Sequence, residues 1–298
     1  MKPLAVSMAW ILLLLCSPRA SSSVTALQES IEAWQSTLQG RIGVAILQPN
    51  KAYWGFQDHQ RFPMASTFKM LACAKLLHDS EQGRLASAAK VLITAEQLVP
   101  YSPETQALVG TYMSPAQACE ITLRSSDNTA ANIVLDAIGG PGALTEFLVT
   151  IGDPVTRLDR REPEVNQGRP HDLRDTTTAH AMVNTWQHLL QDQILTVQAQ
   201  QQLTAWLAAN QVAHALLRAA LPQGWHIADR SGAGGYGARG INAMIWQTAK
   251  EPIFISIYLH QTDASMAQRN QAIAAIAAEI FNYLQLTEQN QTSKPRAR

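Results

Sequence analysis

Ser66-Thr67-Phe68-Lys69 opens a stretch of helical periodicity just after the turn residue Pro63, so i to i+3 spacing puts a hydroxyl and an amine on one helical face. A serine becomes a nucleophile only with a base beside it, and a partly desolvated amine can serve. The start of a helix also favours the negative charge that develops on attack. Ser-x-x-Lys is a weak signal alone: Ser87-Ala88-Ala89-Lys90 matches it too, in what reads as an ordinary exposed helical stretch. A second element is Ser126-Asp127-Asn128, in a short linker between helical runs, where a serine and an amide could face a cleft. Its simpler reading is a cap for the helix that begins near Thr129. A third is Arg230-Ser231-Gly232-Ala233-Gly234 at the end of a strand pattern: a cation, a hydroxyl, then residues small enough for a ligand to approach the backbone, which suits a substrate carboxylate. Gly232, Gly234 and Gly237 also spell G-x-G-x-x-G, but a strand pattern and not a helix follows, so the dinucleotide reading fails its context.

The elements that must position these groups fall into three blocks. Leu27, Ile31, Trp34 and Leu38 recur at helical spacing, with Gly40 placed as a terminating glycine, and the runs 42–47 and 52–56 read as a hairpin about Pro49-Asn50. From Ser66 to about Asn210 the pattern is helical, with segments over 67–78, 115–124, 129–138, 143–151, 178–190 and 197–208 and no strand among them. Strand patterns return over 225–230, 241–247 and 253–259, and a helix over 266–284 precedes a polar tail. The expected class is α/β in the loose sense (α+β): an antiparallel sheet built from 21–60 and 210–290 with flanking helices, plus an all-helical insertion, 61–209, and a tail at 291–298. A cleft between sheet and insertion is where a small-molecule site is expected.

Composition narrows the function further. Lys plus Arg number 23 and so do Asp plus Glu, with no basic run, so a nucleic-acid partner is not expected. Charged residues are 15% of the 298 and hydrophobic ones 46%, against about 25% charged in an average soluble domain, so much of the chain must be buried. The first 20 residues, with Lys2, an apolar run from Met8 to Cys16 and the small stretch that follows, read as a secretory signal too short to span a bilayer, cleaved after Ala20 or Ser22. A lipid-anchor reading of Cys16 is disfavoured by Leu15 before it. Export leaves Cys73 and Cys119, for which a disulfide is the economical reading and two buried thiols the alternative. The eight histidines contain no H-x-H or H-E-x-x-H cluster, so no catalytic metal and no cofactor is expected.

In their order, the three elements resemble the penicilloyl-serine family, and the chain resembles its class A serine β-lactamases across nearly all of the mature length. The resemblance implies the β-lactamase/transpeptidase-like fold and a hydrolase that opens penicillins through an ester on Ser66. What separates these enzymes from D,D-peptidases and penicillin sensors, which keep the ester, is a base that hydrolyses it. Arg160-Arg161-Glu162-Pro163-Glu164-Val165-Asn166 supplies one, in a loop over 160–175 similar to the class A omega loop. The resemblance makes Glu162 and Asn166 the holders of the deacylating water, pairs Arg160 with Asp175 as a clamp and marks Glu162-Pro163 for a cis peptide, while Glu164, the local rival, reads as a lone loop carboxylate facing solvent. It makes Lys69 or Glu162 the base for Ser66 and Ser126 the proton relay to the departing nitrogen. The Ser66 and Ala233 amides become the oxyanion donors. Tyr101 falls at the rim and Asn128 on the substrate's side-chain amide, while Arg230, Ser231, Gly232 and Arg239 fall on its carboxylate. Cys73 and Cys119 fall on disulfide positions of the class. Where most of the class has Lys-Thr-Gly, this chain has Arg230-Ser231-Gly232, similar to the carbenicillin-hydrolysing penicillinases, and a guanidinium can grip a carboxylate through two nitrogens. The implied protein is a periplasmic monomer acting on a small β-lactam.

Overall fold

The computed structural model describes residues 18–292, so the signal reading up to residue 17 and the last six residues of the tail lie outside the described part. The first helix, α1 (Pro18–Leu38), buries Leu27, Ile31 and Leu38 at the predicted spacing. It ends one residue before the expected glycine: Gln39 takes the left-handed conformation, with φ 48°. Gly40 is needed for space instead, since a Cβ there would meet the Thr262 Cβ at 2.9 Å and the His260 carbonyl at 3.0 Å.

The hairpin follows as β1 (Arg41–Leu47) and β2 (Tyr53–Phe56), with Leu47 opposite Tyr53. Three long strands from the far end of the chain complete the sheet: β7 (Trp225–Ala233), β8 (Arg239–Gln247) and β9 (Ile253–His260). All neighbours are antiparallel in the order β2-β1-β9-β8-β7, so the two ends of the chain meet where β1 pairs with β9. Period-two alternation sorts β1 between two cores. Ile42, Val44 and Ile46 join α1, Ile227, Ile241 and Ile273, Ile276 and Ile280 of the last helix, α9 (Met266–Thr292), on one face. Ala45 and Leu47 join the helical part on the other. The predicted end of α9 at residue 284 falls short, because the helix continues for about two more turns, to Thr292.

The helical part is α2 (Phe68–Glu81), α3 (Pro115–Ser125), α4 (Asn128–Ala137), α5 (Gly140–Thr150), α6 (Ala179–Leu190) and α7 (Val197–Ala208), with a single turn, α8 (Leu217–Ala220), before β7. Phe68, Met70, Leu71, Ala72, Cys73, Ala74 and Leu76 are all buried, so the first two turns of α2 are covered on every side, as an apolar stretch of helix must be. It carries Lys69 into the centre of the molecule. Two expectations fail here. Short strands do interrupt the helical block: β3 (Arg61–Pro63) pairs with β6 (Thr176–Thr178), and β4 (Val91–Leu92) with β5 (Tyr112–Met113), each too short to show a period. The decoy Ser87-Ala88-Ala89-Lys90 lies in a turn and loop, not a helix, and Ser87 shares its hydroxyl with Ser80. Cys73 and Cys119 form a disulfide that ties α2 to α3, with Cα atoms 5.6 Å apart.

Candidate active site

Ser66 sits in one turn of 3-10 helix, Ala65–Thr67, that feeds α2. Ala65 before it is held at φ 43°, a conformation that costs a residue with a Cβ of order 1–3 kcal/mol and persists only where neighbours fix it. They do: the Met64 N–H donates to the Asp175 carbonyl at 2.9 Å, and the Thr67 hydroxyl donates to the Met64 carbonyl at 2.9 Å. Thr67 also meets the Tyr258 hydroxyl at 2.9 Å, which accepts from Asn242, which accepts from Ser256. This buried chain of hydroxyls and amide, running from the sheet to the turn that presents Ser66, carried no sequence signal, because its members are far apart and individually ordinary.

The Ser66 hydroxyl donates to Glu162 Oε1 at 3.3 Å, and Lys69 Nζ lies 3.0 Å from the same oxygen with both charged side chains fully buried. Lys69 also donates to the Ser126 carbonyl at 2.8 Å, Asn128 Oδ1 at 2.7 Å and the Ser126 hydroxyl at 3.3 Å. Burial pushes the Lys69 pKa down to about 8, with Arg230 adding to the fall and Glu162 opposing it. Asn166 Nδ2 donates to Glu162 Oε2 at 2.5 Å, while its Oδ1 is buried and accepts nothing from the described residues.

The loop holding Glu162 is fixed at several points. The Asp175 carboxylate, 1% exposed, accepts the Asp159 and Arg160 N–H groups at 2.7 and 2.9 Å and Arg160 Nε at 2.5 Å. Glu162 itself is held through its backbone by Asn132 of α4, which accepts its N–H at 3.1 Å and donates to its carbonyl at 2.9 Å. Asn132 was not singled out from the sequence, where it is one polar residue on a helix. Glu162-Pro163 is cis and Glu164 is exposed. Of the triplet 126–128, Asp127 is the cap: its buried carboxylate accepts from Ala130 N–H at 2.9 Å and also from Glu104 and Thr105. Ser126 takes φ 66°, which ends α3 and turns its hydroxyl toward Lys69.

Strand β7 forms the opposite wall. A Cβ on Gly232 would lie 2.7 Å from the Met64 carbonyl and 2.9 Å from the Ser66 nitrogen, so only glycine lets the strand run against the turn that carries Ser66. Between them lies a cleft of about 400 Å³ lined by Ser66, Tyr101, Ser126, Asn128, Asn166, Ser231, Gly232, Ala233 and Arg239, with Val212 and Met266 as unanticipated apolar members. Tyr101 is 58% exposed at its edge. Arg239 donates to the Gly232 carbonyl at 3.0 Å and to Asn270 Oδ1 at 2.9 Å, and burial next to Arg269 lowers its pKa to about 10, leaving it charged at neutral pH.

Arg230 departs from the expected two-nitrogen grip on a ligand. Its side chain is fully buried behind the cleft: Nε donates to the Ser66 carbonyl at 3.2 Å, one terminal nitrogen to the Leu123 carbonyl at 3.1 Å and the other to the Ser126 hydroxyl. The inward turn lets one planar guanidinium serve three buried acceptors, at the end of α3, in the Ser66 turn and on Ser126. Burial lowers its pKa to about 10, opposed by Asp229 and Glu162, and it stays a cation.

The Beta-lactamase enzyme family matches residues 26–284 of the chain. The chain belongs to the class A β-lactamases. Among curated relatives, Beta-lactamase CARB-3 of Pseudomonas aeruginosa is 49% identical over 88% of this chain and 92% of its own length. Beta-lactamase AER-1 of Aeromonas hydrophila is 43% identical over 87% and 86%. The crystal structure of the chromosome-encoded β-lactamase of Vibrio parahaemolyticus superposes with a TM-score of 0.85 at 46% identity, covering 87% of this chain and 98% of that one. That of the last common ancestor of Gram-negative class A β-lactamases gives 0.85 at 41%, covering 87% and 99%. The fold is therefore the class A β-lactamase fold, and the chain is a β-lactam hydrolase.

Proposed function

We propose that this β-lactamase hydrolyses penicillins, carbenicillin included, through an acyl-enzyme on Ser66, and so confers resistance to them. The observation that carries the mechanism is Glu162, whose carboxylate accepts from Ser66 and touches Lys69 while Asn166 holds its second oxygen. The Lys69 amine has three N–H groups and four acceptors around it, so it acts as the cation of the site while Glu162 takes the Ser66 proton. Ser66 then attacks the lactam carbonyl, whose oxygen is stabilised by the Ser66 and Ala233 amides. Ser126 gives its hydroxyl proton to the departing nitrogen and takes one from the Lys69 ammonium, which recovers it from Glu162, so the proton removed from Ser66 ends on that nitrogen.

Arg239, Ser231 and the backbone at Gly232 receive the substrate carboxylate in the cleft, Asn128 its side-chain amide, and Tyr101 borders it. Arg230 supports them from behind, by adding positive charge and by fixing the Ser126 hydroxyl. For deacylation, the leftover acceptor Asn166 Oδ1 beside Glu162 offers a water a second oxygen to donate to, so the water is held and deprotonated by one carboxylate. A D,D-peptidase or a penicillin sensor has no use for that pairing. The same reading divides the mature chain into a sheet unit, 21–60 with 210–290, and a helical unit, 61–209, and an apolar cluster drawn wholly from the first unit supports it. It has the protein exported to the periplasm as a monomer, without nucleic-acid or membrane partners. The leader-like N-terminus and the disulfide support export.

Purified mature protein mixed with benzylpenicillin and with carbenicillin tests this, following loss of the lactam ring with intact-mass measurement alongside. The expected outcome is turnover of both with little persistent adduct. A stable one-to-one adduct without turnover would assign the chain to peptidase or sensor chemistry.

A further inference from the structure

Away from the cleft, the fold gathers three side chains that the sequence keeps apart. Asp58 and His59 lie in the turn between β2 and β3, and His180 is the second residue of α6. The His180 N–H donates to the Asp58 carbonyl at 3.0 Å, so the two segments are already joined through the backbone. Asp58 Oδ2 stands 3.6 Å from His59 Nε2 and 3.6 Å from His180 Nδ1, and the donor atoms of all three lie within 4.8 Å of one another. Zinc bonds of about 2.0–2.2 Å arranged tetrahedrally give donor-to-donor edges of about 3.3–3.6 Å. Two of the three edges are thus at ligand spacing. A rotation of His59, whose side chain is 75% exposed, closes the third.

Two further features fit a metal and not a plain ion pair. His180 Nδ1 is buried and has no hydrogen-bond partner among the described residues, which is costly for an imidazole nitrogen unless something takes its lone pair. The Asp58 carboxylate is oriented from behind by the Tyr53 hydroxyl, which donates to Oδ2, as an outer partner orients a metal-binding carboxylate. It lies against Gly55, where a Cβ would come within 2.5–2.8 Å of all three carboxyl atoms and push it away.

We infer that Asp58, His59 and His180 form a binding site for a zinc-type divalent transition metal, open to solvent at His59 for a fourth, water ligand. None of the three lines the cleft, so the ion has no part in hydrolysis, and the expectation of no catalytic metal is a separate matter. Its effect is mechanical: it clips the turn after β2 to the start of α6, immediately beyond β6 and the end of the 160–175 loop. Binding to the folded chain alone stabilises it in proportion to the logarithm of free metal.

Tag-free, chelator-treated protein titrated with zinc chloride, by calorimetry and by thermal melting, tests the site. One ion per chain and a melting temperature that rises with zinc and returns on adding EDTA are expected. His59→Ala, Asp58→Asn and His180→Ala each weaken binding at least tenfold, and His188→Ala, at another surface His–Asp pair, leaves it unchanged. Circular dichroism checks folding; should His180→Ala fail to fold, His59→Ala at its exposed ring carries the test. Absence of binding, or binding that survives in the His59→Ala and Asp58→Asn proteins, overturns the inference, as does loss in His188→Ala of similar size.

Discussion

Ser66, Lys69 and Glu162 share one buried network, in which Lys69 and Glu162 compete for the serine proton. The structure favours Glu162 by contact, since Ser66 donates to its carboxylate. The pH dependence separates the two. Lys69 has its pKa lowered to about 8, so raising the pH through that value removes its charge. If that charge is needed, kcat/KM for benzylpenicillin falls as pH rises through about 8, well before an ordinary lysine would titrate. Were Lys69 the base, kcat/KM would rise over the same interval. The Glu162→Ala enzyme should invert the sign: losing the carboxylate that raises the Lys69 pKa leaves the amine neutral more often, and its acylation rate should rise with pH. Arg230→Lys bears on the inward-turned guanidinium. A lysine cannot serve the Ser66 carbonyl, the Leu123 carbonyl and the Ser126 hydroxyl in one planar fork, so kcat should fall about tenfold or more while KM for carbenicillin changes less. A loss confined to KM would put Arg230 on the substrate carboxylate after all.

At the scale of elements, the loop over 160–175 and the junction of α3 with α4 place the working groups, and both are held by buried carboxylates. Arg160→Ala leaves Asp175, 1% exposed, without its cation. Breaking a fully buried pair costs roughly 3–5 kcal/mol, and Arg160 is partly exposed, so a loss of about 2–3 kcal/mol in urea unfolding is expected. Because Glu162 and Asn166 ride on this loop, deacylation should suffer more than acylation, seen as acyl-enzyme accumulating in the steady state. Asp127→Ala removes the acceptor for Ala130, Glu104 and Thr105 and should cost on the order of 3 kcal/mol or more in the same assay. A change within 0.5 kcal/mol in either variant would show that these carboxylates do not hold their elements.

Across the whole molecule, the disulfide closes a loop spanning 46 residues between the two helices that carry Lys69 and lead to Ser126. Replacing both cysteines with alanine should cost about 2–4 kcal/mol of stability with kcat nearly unchanged, measured by urea unfolding and steady-state kinetics. What could be read from the sequence was whatever is local: the Ser66 and Lys69 spacing, the triplets at 126 and 230, the long strands with their period of two, the helices with theirs. What could not be read is set by tertiary contact. The three-residue pairing of β3 with β6 has no period of its own; Tyr258, Asn242 and Thr67 meet only when the sheet docks on the Ser66 turn; Asn132 finds Glu162 across a loop; Asp58 and His59 find His180 from the far side of the helical block. Arg230 was visible as a cation, but which way it turned depended on the Ser66 and Leu123 carbonyls and the Ser126 hydroxyl, which only the folded chain brings together. Turnover depends on Glu162 as the base for deacylation, and intact-mass measurement of the Glu162→Ala protein after brief exposure to benzylpenicillin tests that most directly. One penicilloyl group per chain is expected, on the peptide carrying Ser66 and persisting long after the wild-type protein has cleared its own. Unmodified protein that still turns over at the wild-type rate would contradict it.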